Sequence, residues 1–363
     1  MIDNQTIHNE INTQENNLLI SAVDLFCGIG GLTHGLIKSG IKVRAGIDLD
    51  SSCKYAYEIN NNAKFINASI TDISGKQIKE YWHEDEVKIL VGCAPCQPFS
   101  THSNKVKGKE NGNKWNLLNQ FSRLISETLP DIISMENVTN LSNKIIFKDF
   151  INSLEGLEYK VFYKNVYCPD YGMPQKRRRL VLLASKFGEI NLIPPTHKNK
   201  YRTVRDAIGH LESIQGGQKS TKDPLHFTIK LSDINLKRIQ SSVPDGTWED
   251  WDKSLWLNCH KKNTGKTYKS VYGRMSWDEP APTITTQFYN YGTGRFGHPE
   301  QNRALTIREA SILQGFPANY KFIKKNDKPT LAKIGTHIGN AVPVDLGYII
   351  GKSIIKHLKE KNG

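Results

Sequence analysis

Two cysteines three positions apart stand where chemistry could begin. The segment Gly92-Cys93-Ala94-Pro95-Cys96-Gln97-Pro98-Phe99-Ser100 directly follows an apolar run at 87–91. Cys93-x-x-Cys96 admits half a zinc site or a redox pair. Zinc requires about four ligands, and no second C-x-x-C or close His pair completes the set. A redox pair belongs in a thioredoxin-like setting, which a glycine-rich turn and a basic later region do not provide. The third reading makes Cys96 a nucleophile at the carboxyl end of a strand, between prolines that fix its backbone. An ordinary thiol, with pKa about 8.5, is only partly thiolate at neutral pH, and a helix N-terminus or nearby cations raise that fraction. Cys27, Cys53, Cys93 and Cys168 read as inert buried thiols.

An acid and a set of cations occupy comparable places. Glu136-Asn137-Val138 closes the apolar run at 132–135, and Gln175-Lys176-Arg177-Arg178-Arg179 precedes the run at 180–184. Alone, Glu136 is a surface carboxylate and the arginines are a solvated charge run. Placed at strand ends beside a nucleophile, they can converge on one pocket. Upstream, Asp24-Leu25-Phe26-Cys27-Gly28-Ile29-Gly30-Gly31 runs from a strand through glycines into a helix, which lets backbone approach a ligand closely. Asp48 falls at the end of the next strand, where an acid accepts hydrogen bonds from a ribose diol. This pattern by itself does not separate a dinucleotide from S-adenosylmethionine.

The elements that must position these groups alternate. Apolar segments at 18–23, 42–47, 87–91, 132–135 and 180–184 read as strands. Leu32, Leu36 and Ile37 before Gly40, and Leu117, Leu118, Phe121, Leu124 and Ile125, mark helices between some of them. That alternation predicts an α/β fold with a Rossmann-like, doubly wound, mostly parallel sheet. After Phe187 the texture breaks. Pro194-Pro195 reads as a linker, and the following stretch is irregular and rich in Gly, Trp, Tyr and Lys. Thr306-x-x-Glu309 forms a capping box ahead of a helix stopped by Gly315 and Pro317. Residues 344–358 read as an amphipathic helix. The expected organisation is a frayed tail at 1–17 followed by two domains, one from 18–190 plus 332–363 and a smaller, irregular one inserted late in the chain at 191–331.

Composition restricts the function further. Among 363 residues, 49 Lys and Arg against 36 Asp and Glu give a formal charge of +13, which suits a polyanionic partner. No apolar run approaches the ~20 residues of a membrane helix, and the opening residues lack a signal peptide's apolar core. Six cysteines are too sparse for a disulfide scaffold, so a reducing cytoplasm is expected. Residues 259–275 hold no acid but do hold Lys261, Lys262, Lys266, Lys269 and Arg274, interleaved with Tyr268 and Tyr272. That texture suits phosphates, with Arg274, Gln287 and Arg295 as candidate base readers. The lysine-bearing stretch at 100–114, including Ser100, Lys105 and Lys107, reads as a loop able to close over a nucleic acid.

Together and in this order, these segments resemble the DNA (cytosine-5)-methyltransferase family of prokaryotic restriction–modification systems. Asp24 to Gly31 resembles the family's S-adenosylmethionine loop, Pro95-Cys96-Gln97 its catalytic motif, and Glu136-Asn137-Val138 its acid motif. Gln175 to Leu180 resembles its Q-x-R-x-R segment. Arg303 to Pro317 and Gly339-Asn340-Ala341-Val342-Pro343 are similar to its last two motifs. Pro282-Thr283-Ile284-Thr285-Thr286 is similar to its recognition-domain signature, which adds Thr283 and Thr285 to the DNA-facing set. The resemblance implies methyl transfer from S-adenosylmethionine, without a metal, to C5 of a cytosine flipped out of duplex DNA. Cys96, Glu136, Arg177 and Arg179 would be catalytic, Cys96 adding covalently to C6. The cofactor would meet Phe26, Gly28, Gly30, Gly31, Leu32, Asp48, Leu49, Pro95, Asn340 and Val342. Where the family places an Asp against the adenine amino group, this chain has Ser69, with Asp72 as the nearby acid. The expected setting is a monomer on the bacterial nucleoid, whose companion restriction endonuclease acts in function and not in a stable complex. A tRNA cytosine methyltransferase, a nicotinamide oxidoreductase and an inactive DNA-binding protein are the competing readings. The basic second domain, the grouping of Cys96 with Glu136 and the arginines, and the intact nucleophile weigh against them in turn.

Overall fold

The computed structural model describes residues 19–95, 112–263 and 265–362. The expectations placed on Cys96, Ser100, Lys105 and Lys107, and on the tail at 1–17, lie outside the described residues. Seven strands share one sheet: β1 (Ile20–Leu25), β2 (Lys42–Asp48), β3 (Lys64–Asn67), β4 (Val87–Gly92), β5 (Ile132–Asn137), β6 (Lys160–Tyr167) and β7 (Arg178–Ser185). Their order is β3-β2-β1-β4-β5-β7-β6, with β1 to β5 parallel and β7 antiparallel to both neighbours. β1, β4 and β5 are apolar because helices cover both faces of the sheet. β3 and β6 have no apolar run to announce them, and the sheet edge explains why: half of β6 is exposed and only Val166 is buried.

The helices are α1 (Gly31–Ser39), α2 (Lys54–Asn61), α3 (Gly75–Lys79), α4 (Gly112–Thr128), α5 (Ile145–Gly156), α6 (Val204–Ile208), α7 (Asp233–Gln240), α8 (Ile307–Leu313), α9 (Leu331–Asn340) and α10 (Val344–Asn362). α1 ends at Gly40, whose φ of 108° is left-handed and whose N–H closes on the Ile37 carbonyl. α8 carries the expected capping box, in which Thr306 Oγ1 accepts from Glu309 N and Glu309 accepts from Thr306 N. α10 returns to pack on α1 at close range. A Cβ on Gly35 would stand 2.3 Å from the Val344 carbonyl oxygen.

Between 191 and 331 the described residues form short helices, 3₁₀ turns and isolated bridges. Order there comes from side chains. Trp248 stacks on His260, and Trp251, Tyr272 and Tyr291 extend the aromatic group. The apolar core does not stop at position 190: Ile208, Leu225, Ile284, Phe288 and Phe296 belong to the same buried cluster as Leu36, Val91 and Ile132. Among the described residues no helix is long and apolar enough to cross a membrane.

Candidate active site

Strand direction gathers the site. β1, β2, β4 and β5 all finish at one edge of the sheet, and β7, running the other way, begins there. Strand order reverses between β1 and β4, and ligands of open α/β sheets bind at that switch point. Phe26, Asp48, Cys93, Glu136 and Arg179 therefore meet along one edge although they span more than 150 positions.

The turn after β1 forms the first half. Phe26 holds a φ of 60°, a left-handed conformation that costs a non-glycine residue energy and persists at functional sites. Gly28, with φ 52°, has open space where a Cβ would project. Its N–H donates to Asp48 Oδ2 at 2.8 Å, which ties the turn to the end of β2. Leu49, beside Asp48, is 73% exposed, an apolar side chain with room for a planar partner. Gly31 admits no side chain, since a Cβ would sit 2.2 Å from the Val342 carbonyl oxygen. That contact brings the segment after α9, with exposed Asn340, to the start of α1. His337 Nε2 lies 3.1 Å from both Ser52 Oγ and Asp50 Oδ2, closing the same wall. Leu32 is different: its side chain is buried in the core, which leaves only its backbone near the turn. Ser69 Oγ, Thr71 Oγ1 and Asp72 Oδ1 form a hydrogen-bonded row after β3.

Under the turn, Asp24 is buried and accepts from Thr33 Oγ1 at 2.6 Å, while its Oδ1 has no partner among the described residues. Burial, outweighing the Thr33 bond, pushes its pKa up to about 7.

The second half centres on Glu136, 2% exposed at the end of β5. Arg179 Nε lies 2.8 Å from Glu136 Oε1 as an ion pair, yet among the described residues none gives Oε1 a hydrogen bond. Cys93 Sγ lies 2.8 Å from Oε2 and donates to it. Asn137 Nδ2 donates to the Ala94 carbonyl at 3.1 Å, which fixes the backbone just before exposed Pro95. Sequence reasoning had set Cys93 aside as inert, and only the pairing of β4 with β5 brings it to the carboxylate.

The two arginines expected to act together are separated. Arg177 is buried; Nη1 donates to the Ile284 carbonyl at 3.1 Å and Nη2 reaches the Gly339 and Ala341 carbonyls at 3.5 Å. Burial, with Arg179 next, lowers its pKa to about 9. Gln175 donates to the Leu313 carbonyl and to Gln314 Oε1, and accepts from Ile284 N. Gln175 and Arg177 thus join the start of β7 to the threonine segment and to the ends of α8 and α9, and Arg179 alone faces Glu136. Nothing in the spacing of Gln175, Arg177 and Arg179 distinguishes joint from site, because the acceptors lie more than 100 residues away.

The DNA-facing expectations separate in the same way. Arg274 is corrected to an interior position, 5% exposed: its guanidinium donates to the carbonyls of Ile239, Ser242, His298 and Gln301 and to Asn302 Oδ1. A side chain so committed holds loops together and has no edge left for a base. Gln287 is exposed. Arg295 pairs with Asp245 at 2.8 Å, and Thr283 Oγ1 donates to the Lys176 carbonyl. The backbone of Thr285 and Thr286 lies against Gly339, where a Cβ would come within 2.4 Å.

A family model described as C-5 cytosine-specific DNA methylase matches residues 20–356. The type II methylase M.HgiDII of Herpetosiphon aurantiacus is 53% identical over 343 residues, covering 93% of this chain and 96% of its own. The type II methyltransferase M.Eco47II of Escherichia coli is 31% identical over 361 residues, covering 96% and 82%. Among solved structures, a chain encoded within an Escherichia coli prophage superposes with a TM-score of 0.70 at 22% identity, over 94% of this chain and 99% of that one. The Entamoeba histolytica methyltransferase EhMeth superposes at 0.64 and 18% identity, over 95% and 99%. These two likenesses speak to the fold. The match along nearly the whole chain carries the further step: this protein belongs to the C-5 cytosine-specific DNA methylases.

Proposed function

We propose that the chain moves a methyl group from S-adenosylmethionine to C5 of a cytosine flipped out of duplex DNA, as the modification partner of a type II restriction endonuclease. The observation that carries the reading is a buried carboxylate oxygen, Glu136 Oε1, which Arg179 faces without giving it a hydrogen bond. It stands at the strand edge that also holds the Gly28–Asp48 turn. Such an oxygen awaits a donor, and a cytosine edge offers one.

The turn fits the cofactor. Gly28 leaves space, the Asp48 carboxylate would take ribose hydroxyls, exposed Leu49 would lie on the adenine, and Phe26, Gly30, Gly31, Pro95, Asn340 and Val342 would complete the walls. When bound, S-adenosylmethionine supplies an electrophilic methyl group on a sulfonium sulfur.

Cys96 would add its thiolate to C6, converting C5 of the aromatic ring into a nucleophilic enamine carbon. Glu136, taking up a proton from solvent as the base enters, would share it between Oε1 and ring N3 and so stabilise the charge that develops there during attack. Arg179 would keep the carboxylate in place and face the O2 edge, while Arg177 holds the frame behind it. After C5 has taken the methyl group, a base removes the C5 proton and the electron pair expels the Cys96 thiolate. Flipping the base costs about a few kcal/mol, which phosphate contacts from the lysine-bearing segment and the recognition region would offset. Thr283, Thr285, Gln287 and Arg295 remain the proposed DNA-facing set.

Bisulfite sequencing of DNA from cells expressing the chain tests the reading. Protected cytosines confined to one short motif are expected. Uniform conversion in the presence of soluble protein would overturn it.

A further inference from the structure

Glu136 is held from two sides by unlike groups. Arg179 supplies a charge at Oε1, and the Cys93 thiol supplies the hydrogen bond, at Oε2 and 2.8 Å. The terminal torsion of a glutamate is broad and roughly two-fold, so a carboxylate held by charge alone can present either oxygen. Cys93 is itself fixed. It follows β4 directly, and its N–H donates to the Leu25 carbonyl on the neighbouring strand at 3.3 Å. The thiol is also in the donor state, because burial first and the Glu136 charge second push its pKa well above the ordinary thiol value. Among the described residues, the charged groups facing it are Glu136 on β5 and Arg179 and Arg177 at the start of β7.

We infer that Cys93 is a positioning residue for methyl transfer: its thiol occupies Glu136 Oε2, so that Oε1 is the oxygen turned to the cytosine edge. Cys93 undergoes no covalent step. Its donor occupies one oxygen of the carboxylate, and Arg179 then has a single oxygen to pair with. This inference rests on the assignment of Glu136 to the base.

The test compares Cys93→Ala, Cys93→Ser and Glu136→Gln in the full chain, following tritiated methyl incorporation into unmethylated genomic DNA. Cys93→Ala should lower kcat about tenfold, the loss typical of a hydrogen bond to a charged group, with KM for DNA and for S-adenosylmethionine within about twofold of wild type. Its kcat–pH profile should be displaced as well, since the variant removes a donor from the carboxylate that faces the base. Cys93→Ser keeps a donor of similar size and should restore both the rate and the profile. A purely space-filling role would instead leave the profile unmoved and make Ser no better than Ala. Either of those results, or wild-type turnover in Cys93→Ala, overturns the inference. Should the alanine variant fail to fold, Cys93→Val, of similar bulk and without a donor, takes its place and should lose kcat in the same way. Glu136→Gln separates the two layers. If it turns over at the wild-type rate, the assignment of Glu136 is wrong. If it is inactive while Cys93→Ala is normal, only the role of Cys93 falls.

Discussion

Arg303 and Glu309 face each other through two hydrogen bonds, Nη1 to Oε2 at 2.8 Å and Nη2 to Oε1 at 2.7 Å, with both side chains at most 1% exposed. Burial works to raise the pKa of Glu309, but the Arg303 charge and hydrogen bonds prevail and hold it down to about 2. Nearby His298 is kept neutral, since burial lowers its pKa to about 3. Arg303→Met would strand a buried carboxylate and should cost about 3–5 kcal/mol in urea unfolding. A loss under about 1 kcal/mol would mean that Glu309 finds another partner. The depressed pKa also sets a pH window. The contribution is complete above the ordinary glutamate value and declines as pH falls from about 4.5 to about 2.

Asp24 has the opposite sign. Its folded pKa, about 7, lies above the ordinary value of 3.8, so the native state holds a proton that the unfolded chain releases. Stability should therefore fall as pH rises from about 4 to about 7 and then level off. Asp24→Asn, neutral throughout, should flatten that slope in urea midpoints measured across the range. An unchanged slope would remove Asp24 as its source.

Asp48 ties down the turn after β1 and, on the proposed function, would take the ribose hydroxyls, so its loss should appear in binding. Asp48→Ala should weaken S-adenosylmethionine by about tenfold or more in calorimetry, as expected for hydrogen bonds to a charged group. At saturating cofactor, methyl transfer should recover most of its wild-type rate. Wild-type affinity in the variant would place the ribose elsewhere.

Arg274 and Gln287 should fail in different ways. Arg274→Ala leaves several buried carbonyls without donors and should lower the melting temperature clearly, with site preference unaltered in the protein that remains folded. Gln287→Ala should melt like wild type and alter which cytosines are protected in bisulfite maps. If about four phosphates are neutralised, log K against log salt should slope roughly −3 to −4 in wild type.

Most of the sheet was legible because buried parallel strands are short apolar runs. Those at 42–47, 87–91 and 132–135 sit within the observed strands, which end at Asp48, Gly92 and Asn137 along one edge of the sheet. The first strand begins and ends two residues later than its apolar run, so Asp24 lies inside β1 and not after it. β6 escaped notice since an exposed edge strand needs no apolar run. Placement was legible where a polar residue closes an apolar run, as for Glu136 and Asp48, which both stand at the sheet edge where the strands end. It failed for Arg274 and Arg177, because a guanidinium serves a buried carbonyl as well as a phosphate or base, and its acceptors lie far away in sequence. The Cys93 contact was hidden for the converse reason: a thiol says little about its neighbours until strand pairing supplies one, here Glu136.

The packing of α10 on α1 has a consequence for synthesis. About 300 residues separate the two helices, and the wall where Gly31 meets Val342 forms only when both are present. The start of α1 is therefore made long before the wall it needs, and closing a loop of about 300 residues must precede the finished cleft.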